Sequence, residues 1–204
     1  VKYLFQGEGP EPFETVGIPL LHRAGEEKTV VCISSQVGCA LGCEFCATGR
    51  MGIAVNLDPA AILDQLVQAN ELLRAENRRV RNIVFMGMGE PFHNERNLYQ
   101  AMELLLDPGL FHHPPRYLLV STVGIPDAMI RFARRFPGAN IALSLHSARQ
   151  DTRAQLIPLA RRYPVDLLRK AIECVNTVQE RPLFIEYLML AGINDCPAII
   201  MCPC

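Results

Sequence analysis

Short, near-continuous apolar runs alternate along the chain with longer stretches of helical periodicity, and this alternation limits the possible folds more than any other feature. The runs are TVVCISSQ (29–36), RNIVFMG (81–87), RYLLVST (116–122), NIALSLHS (140–147) and PLFIEYLML (182–190). Apolar toward both faces, they read as covered strands of a parallel sheet. Helices are predicted between them over 58–77, 94–109 and 126–136, with a broken helical region ending in 165–180. The first has Asp58 as N-cap and Pro59 in its first turn, with Leu63, Leu66, Val67 and Leu73 on one buried face. Five βα units are too few for a closed eight-stranded barrel. The expected fold is therefore α/β, a partial parallel (β/α) barrel with right-handed crossovers; a flat doubly wound sheet is the alternative.

In either architecture the residues just after the strands meet at one end, where α/β proteins bind ligands. The polar punctuation of this chain falls there. A cysteine-rich loop follows the first strand, GMGEP (87–91) the second and STVG (121–124) the third, while SLHS (144–147) ends the fourth.

The loop GCALGCEFCATG (38–49) places Cys39, Cys43 and Cys46 in a CxxxCxxC spacing. Four of the eight cysteines fall between 32 and 46 and three in the last nine residues, which favours local ligation over long-range disulfides. Structural zinc sites draw four ligands from two CxxC-type pairs, and no second pair lies at a suitable distance. His112 and His113 are the candidates to complete a zinc site, although HHPP (112–115) reads as an ordinary loop. Thiolates suit iron–sulfur clusters equally well, and three of them on a four-iron cube leave one iron open to a substrate.

Composition narrows the class further. The 204 residues are half hydrophobic with a formal net charge of −1, enough for one domain with a sizeable core. No apolar run reaches the roughly 18 residues of a membrane span, and the start lacks the pattern of a secretory signal. A reducing, cytoplasmic setting is expected. Between Arg131 and Arg181 ten basic residues face four acidic ones. That stripe could meet a phosphate backbone, but by itself it reads more simply as solvated helix ends.

The wider text CISSQVGCALGCEFCATG, VFMGMGEP, STVGIP and LSLHS, in this order and at successive strand ends, resembles the radical S-adenosylmethionine (SAM) superfamily. Within it the resemblance is to the adenine-C2 methyltransferases of ribosomal and transfer RNA, with C8-methylating enzymes as relatives. It runs from about Glu14 to Asp195. The resemblance implies that Cys39, Cys43 and Cys46 hold a [4Fe-4S] cluster whose open iron chelates SAM, which is cleaved to a 5′-deoxyadenosyl radical. Gly89 and Glu90 correspond to the segment that binds the SAM amino group, and a carboxylate suits an ammonium. Ser121, Ser144, Leu145 and His146 match further SAM-contacting positions. Cys32 matches a catalytic thiol that resolves a covalent protein–RNA intermediate, and Glu14 a proposed base. The implied partners are ribosomal RNA and transfer RNA as substrates, and a flavodoxin- or ferredoxin-type reductase as electron donor.

The family extends further at both ends, and its methyl-carrying cysteine has no counterpart in context here. The expected organisation is a lead-in segment (1–28), a radical SAM core (29–195) and a cysteine-rich tail (196–204) with Cys196, Cys202 and Cys204. The missing initiator Met points to a fragment or a processed product. The alternatives are a catalytically incomplete metal- or RNA-binding fragment and a C8 methyltransferase.

Overall fold

The computed structural model describes residues 1–7, 11–20 and 28–195. One seven-stranded sheet organises them: β1 (Lys2–Gln6), β2 (Pro12–Pro19), β3 (Lys28–Cys32), β6 (Arg79–Phe85), β7 (Leu118–Thr122), β8 (Asn140–Ser144) and β9 (Phe184–Glu186), in that spatial order. A separate short hairpin pairs β4 (Gln36–Gly38) with β5 (Ala54–Asn56). β1, β2 and β3 are antiparallel neighbours, and each step from β3 to β9 is parallel. The five parallel strands therefore add in sequence order without a reversal. A doubly wound sheet reverses at a switch point, so this sheet is the partial barrel.

The crossovers carry α1 (Pro59–Ala75), α2 (Glu95–Leu106), α3 (Pro126–Arg135), and then α4 (Gln150–Leu156) with α5 (Val165–Gln179). α1 begins as its sequence predicts: Asp58 accepts from the Ala61 amide at 2.7 Å, with Pro59 in the first turn. The region expected as a broken helix is α4, a 3-10 turn over Pro158–Arg161, and α5.

The helices cover one face of the sheet. Alternate strand residues Val31, Ile83, Leu118, Val120, Ile141 and Leu143 are fully buried there, against Leu98 and Met102 of α2 and Met129 and Phe132 of α3. Phe92, Tyr99, Phe132 and Phe136 close this layer with ring centroids 5.2–6.1 Å apart. Burying one such ring is worth a few kcal/mol.

Residues of the expected lead-in form β1 and β2 and enter the same sheet, sending Phe13 into the core and Thr15 to Gln65 of α1. The last strand is shorter than its apolar run. After Glu186 the amide of Leu188 turns to the ring of His146, and Tyr187 donates to the Asn194 carbonyl. No helix among the described residues is long and apolar enough to cross a membrane. Cys196, Cys202 and Cys204 lie outside the described residues.

Candidate active site

The cysteine loop spans the gap between the strands of the β4–β5 hairpin. Gly38, at φ +76°, opens it, and a Cβ there would stand 2.2 Å from the Ile53 carbonyl oxygen, so no other residue fits. Inside the loop the Cys46 amide donates to Cys43 O at 3.0 Å, and Arg50 Nη2 to Glu44 O at 2.7 Å. The Glu44 amide reaches Leu156 O at the end of α4, 3.0 Å away.

A polar scaffold holds this loop against the GMGEP turn. Gln65, fully buried in α1, accepts from Thr15 Oγ1 and the Ser34 amide and donates to Ser34 O, at 2.6–2.9 Å. Gln36 accepts from the Glu90 amide at 2.9 Å and donates to Asn56, while Asn94 donates to the carbonyls of Ser35 and Leu57. Satisfied buried polar groups of this kind fix one register between the segments they join. Gly89, at φ +100°, lies so close to Gln36 that a Cβ would sit 2.6 Å from the Gln36 Cβ.

At the C-terminal ends of the parallel strands lies a cavity of about 280 Å³. Cys39, Cys43 and Cys46 line one side of it. Gly89, Glu90, Ser121, Ser144, His146 and Glu186 also line it, among apolar neighbours that include Phe45, Phe85 and Met86. Cys39 and Cys43 are almost fully buried. Desolvation pushes both thiols up, Cys43 to about 12, and the neighbouring cysteines add to this. Thiols that raise one another's pKa sit close together, yet no three His, Cys, Asp or Glu side chains among the described residues converge on one ion. Three cysteine side chains lining one cavity are the donor chemistry of an iron–sulfur group, one thiolate per iron.

Glu90 is buried. Its two carboxylate oxygens accept from the amides of Phe92 (3.1 Å) and Val123 (3.0 Å). Burial nonetheless pushes its carboxyl up to about 7. A carboxylate has about four acceptor positions, so capacity for an ammonium remains.

Ser121 and Ser144 both donate to Glu186 Oε2 at 2.9 Å. That orientation turns the remaining lone pairs of both hydroxyls away from the carboxylate. His146 has left-handed backbone (φ +56°), and its Nδ1 accepts from the Leu188 amide at 3.1 Å. The neutral ring therefore carries its proton on Nε2. It stands edge-on to Phe45 at 4.6 Å, and burial, aided by the charge of Arg153, pulls it down to about 4. Asn194, also buried, donates to His146 O at 2.6 Å and holds this turn to the loop after β9.

The remaining candidates stand outside the cavity lining. The Leu145 amide donates to Leu143 O and Glu186 O, and its side chain packs on the core. Cys32 ends β3, with its thiol pushed up to about 11 by burial, partly offset by the Met86 backbone. The carboxylate of Glu14 pairs with Lys2 Nζ at 3.0 Å. Val16 lies opposite Cys32, so strand alternation places Glu14 and Cys32 on the same face of the sheet, opposite the one on which Val31 is buried.

Sequence reasoning missed Glu186, Asn194 and Arg153. Glu186 did leave a signal, a lone carboxylate inside the otherwise apolar run LFIEYLML.

Comparison with known proteins places this geometry. A probable RNA methyltransferase of Rhodopirellula baltica is 52% identical over 194 residues, covering 95% of this chain and 50% of the relative. The dual-specificity RNA methyltransferase RlmN 1 of Myxococcus xanthus is 39% identical, covering 95% of this chain and 53% of its own length. A radical SAM methyltransferase structure from Sphaerobacter thermophilus superposes with a TM-score of 0.90 at 37% identity, over 97% of this chain and 57% of that one. The chain thus spans about half the length of the relatives it matches. The family model for the radical SAM superfamily matches residues 33–201, most of the chain, and the superfamily implies a [4Fe-4S] cluster and SAM as cofactors. The chain belongs to the radical SAM superfamily.

Proposed function

We propose that this chain is the core of an enzyme that methylates an adenine of ribosomal and transfer RNA, at ring carbon C2 in preference to C8. The observation that carries the reading is the meeting of three thiols, a buried carboxylate, two oriented hydroxyls and a neutral imidazole on one cavity at the strand ends. The names of the relatives supply the RNA methyltransferase class. When bound, the cluster and SAM supply one-electron cleavage of a sulfonium and, from it, hydrogen-atom abstraction.

The chain's own residues bind and orient. Cys39, Cys43 and Cys46 are the thiolate ligands; they must lose protons to bind metal, so loading releases protons. Glu90 accepts the SAM ammonium, with Gly89 letting backbone approach closely. Ser121, Ser144 and His146 contact the rest of SAM, with Leu145 setting the turn between them. Cys32 would be the thiol that attacks the sulfur of the covalent protein–RNA thioether, forming a disulfide as the carbon–sulfur bond to the RNA breaks. Glu14 removes the ring proton, since its half-exposed pair with Lys2 is weak and yields readily to a ligand. The adenine must enter unstacked for its edge to be reached. A flavodoxin- or ferredoxin-type protein in the cytoplasm is the electron donor.

The test is anaerobic reconstitution with iron and sulfide, then dithionite and SAM, with assay of 5′-deoxyadenosine. The expected product forms with the chain and vanishes in Cys43→Ala. Cluster assembly without SAM cleavage would mean that activity needs parts of the relatives' length outside this chain. Preferential uptake of zinc would overturn the cluster assignment.

A further inference from the structure

Arg153 is only 1% exposed, near the C-terminal end of α4. Its Nη2 donates to the carbonyls of Val123 and Ser144, two cavity-lining residues. Its Nε is buried with no hydrogen-bond partner, and no carboxylate among the described residues pairs with it. A guanidinium in this state is expensive, because desolvation is not offset by an opposite charge. Burial drags its pKa down to about 10. The last turn of α4 packs onto the cysteine loop: Leu156 and Ile157 lie against Cys39 and Cys43, and the Glu44 amide is bonded to Leu156 O. Arg153 therefore stands on the helix that packs against the cysteine loop, while its carbonyl partners reach the cavity from two strand ends.

We infer that Arg153 is the counter-charge for the anionic assembly formed at Cys43, the thiolate-ligated iron–sulfur cluster. It is a positioning residue, acting through Cys43 and through the two carbonyls it gathers. The empty protein carries an uncompensated cation, and loading the site compensates it. The inference rests on the cluster reading of the three cysteines. A purely structural arginine, kept only to tie the β7 and β8 ends together, behaves differently. Its loss would weaken the empty and the loaded protein alike.

The experiment compares wild type, Arg153→Met and Arg153→Gln, each empty and reconstituted with iron and sulfide under argon. Three readouts are taken: the thermal midpoint, iron retained against a chelator, and the cluster's reduction potential. The empty Met variant is expected to melt at or above wild type, because replacing an unpaired buried charge by an apolar side chain of similar volume relieves strain. The rise in midpoint on loading should shrink in both variants. Iron loss to chelator should quicken by about 10- to 100-fold, the range for groups that support metal ligands. The potential should shift downward, because a nearby positive charge favours the reduced cluster. Equal loading gains and equal potentials in all three proteins would overturn the inference. So would empty Met and Gln variants that both melt far below wild type, or fail to fold. Wild type that takes up no iron would overturn the cluster reading itself, which is a separate outcome.

Discussion

The two faces of the parallel strands are built from alternate residues of the same segments, yet they obey different rules. Toward the helices, Ile83, Leu118, Val120 and Ile141 are shut from water within the hydrophobic core. Toward the open side, Cys32, Ser121, Ser144 and Glu186 are partly exposed, and β7, β8 and β9 converge on one carboxylate oxygen. The first face gains stability by excluding solvent. The second gives some of it up to hold polar groups, thiols and an unpaired cation in place. A residue's number along a strand thus decides which of two free energies it serves, and the difference can be tested by breaking one face at a time.

Alanine at Cys39, Cys43 or Cys46 should give the largest change. Reconstituted iron should fall from a full cluster to background, because two thiolates cannot hold the cube. The thermal midpoint of the empty protein should change little, since at Cys39 and Cys43 one small hydrophobe replaces another and Cys46 is only partly buried. Iron per chain and differential scanning calorimetry on the same samples check both halves. Undiminished iron in all three variants would erase the distinction between the faces.

Phe132→Ala probes the opposite face. The ring is fully buried and meets Phe92, Tyr99 and Phe136, so its loss should cost about 3–5 kcal/mol in urea unfolding. SAM affinity per folded molecule should not change. A loss of affinity comparable with the loss of stability would mean that the two faces are coupled through the strands.

Glu186→Gln should do the reverse. An amide is a weaker acceptor than a carboxylate, so the two serine hydroxyls lose their common orientation. Bonds to charged groups are worth about 1.5–3 kcal/mol. SAM should therefore bind roughly 10- to 100-fold more weakly by calorimetry, with a change in unfolding free energy below about 1 kcal/mol. An unchanged dissociation constant would remove Glu186 from the ligand-binding face and leave it a structural tie.

These contrasts also explain what could be read in the chain and what could not. The five parallel strands and their helices announced themselves through apolar runs and periodicity, and α1 through Asp58 and Pro59, because burial and capping act locally in sequence. β2 was hidden. Its inward positions are Phe13, Thr15 and Gly17, and only one of these is apolar and large. β4 and β5, three residues each, are too short for any period. The candidate side chains around the cavity were legible as short motifs at strand ends, since glycines, thiols and a carboxylate cluster there in sequence as well as in space. Glu186 and Arg153 were not. Glu186 is read through partners 42 and 65 residues away, and Arg153 through Val123, 30 residues back. Only the folded sheet, with its strand ends side by side, brings such groups together.

His146 offers the finest test, because it measures how dry the open face is. Burial, and then the charge of Arg153, pull its imidazole down from 6.5 to about 4. As pH falls through 6.5 the unfolded chain takes up the proton while the folded protein refuses it. Stability contributed by the neutral ring is therefore whole above pH 6.5 and drains away toward pH 4. Asn is the matched replacement: it tolerates the left-handed backbone at φ +56°, and its side-chain oxygen can accept from the Leu188 amide. The difference in unfolding free energy between wild type and His146→Asn should shrink by about 3 kcal/mol between pH 7 and pH 4. Guanidinium titrations of the empty protein at a series of pH values read it directly. A difference that does not vary with pH would mean that water reaches the ring freely. The open face would then be ordinary surface, and its thiols and Arg153 would be solvated rather than held apart from solvent. A difference that shrinks as expected makes the cavity a low-dielectric site, in which the charges of Cys43, Glu90 and Arg153 act on one another at full strength.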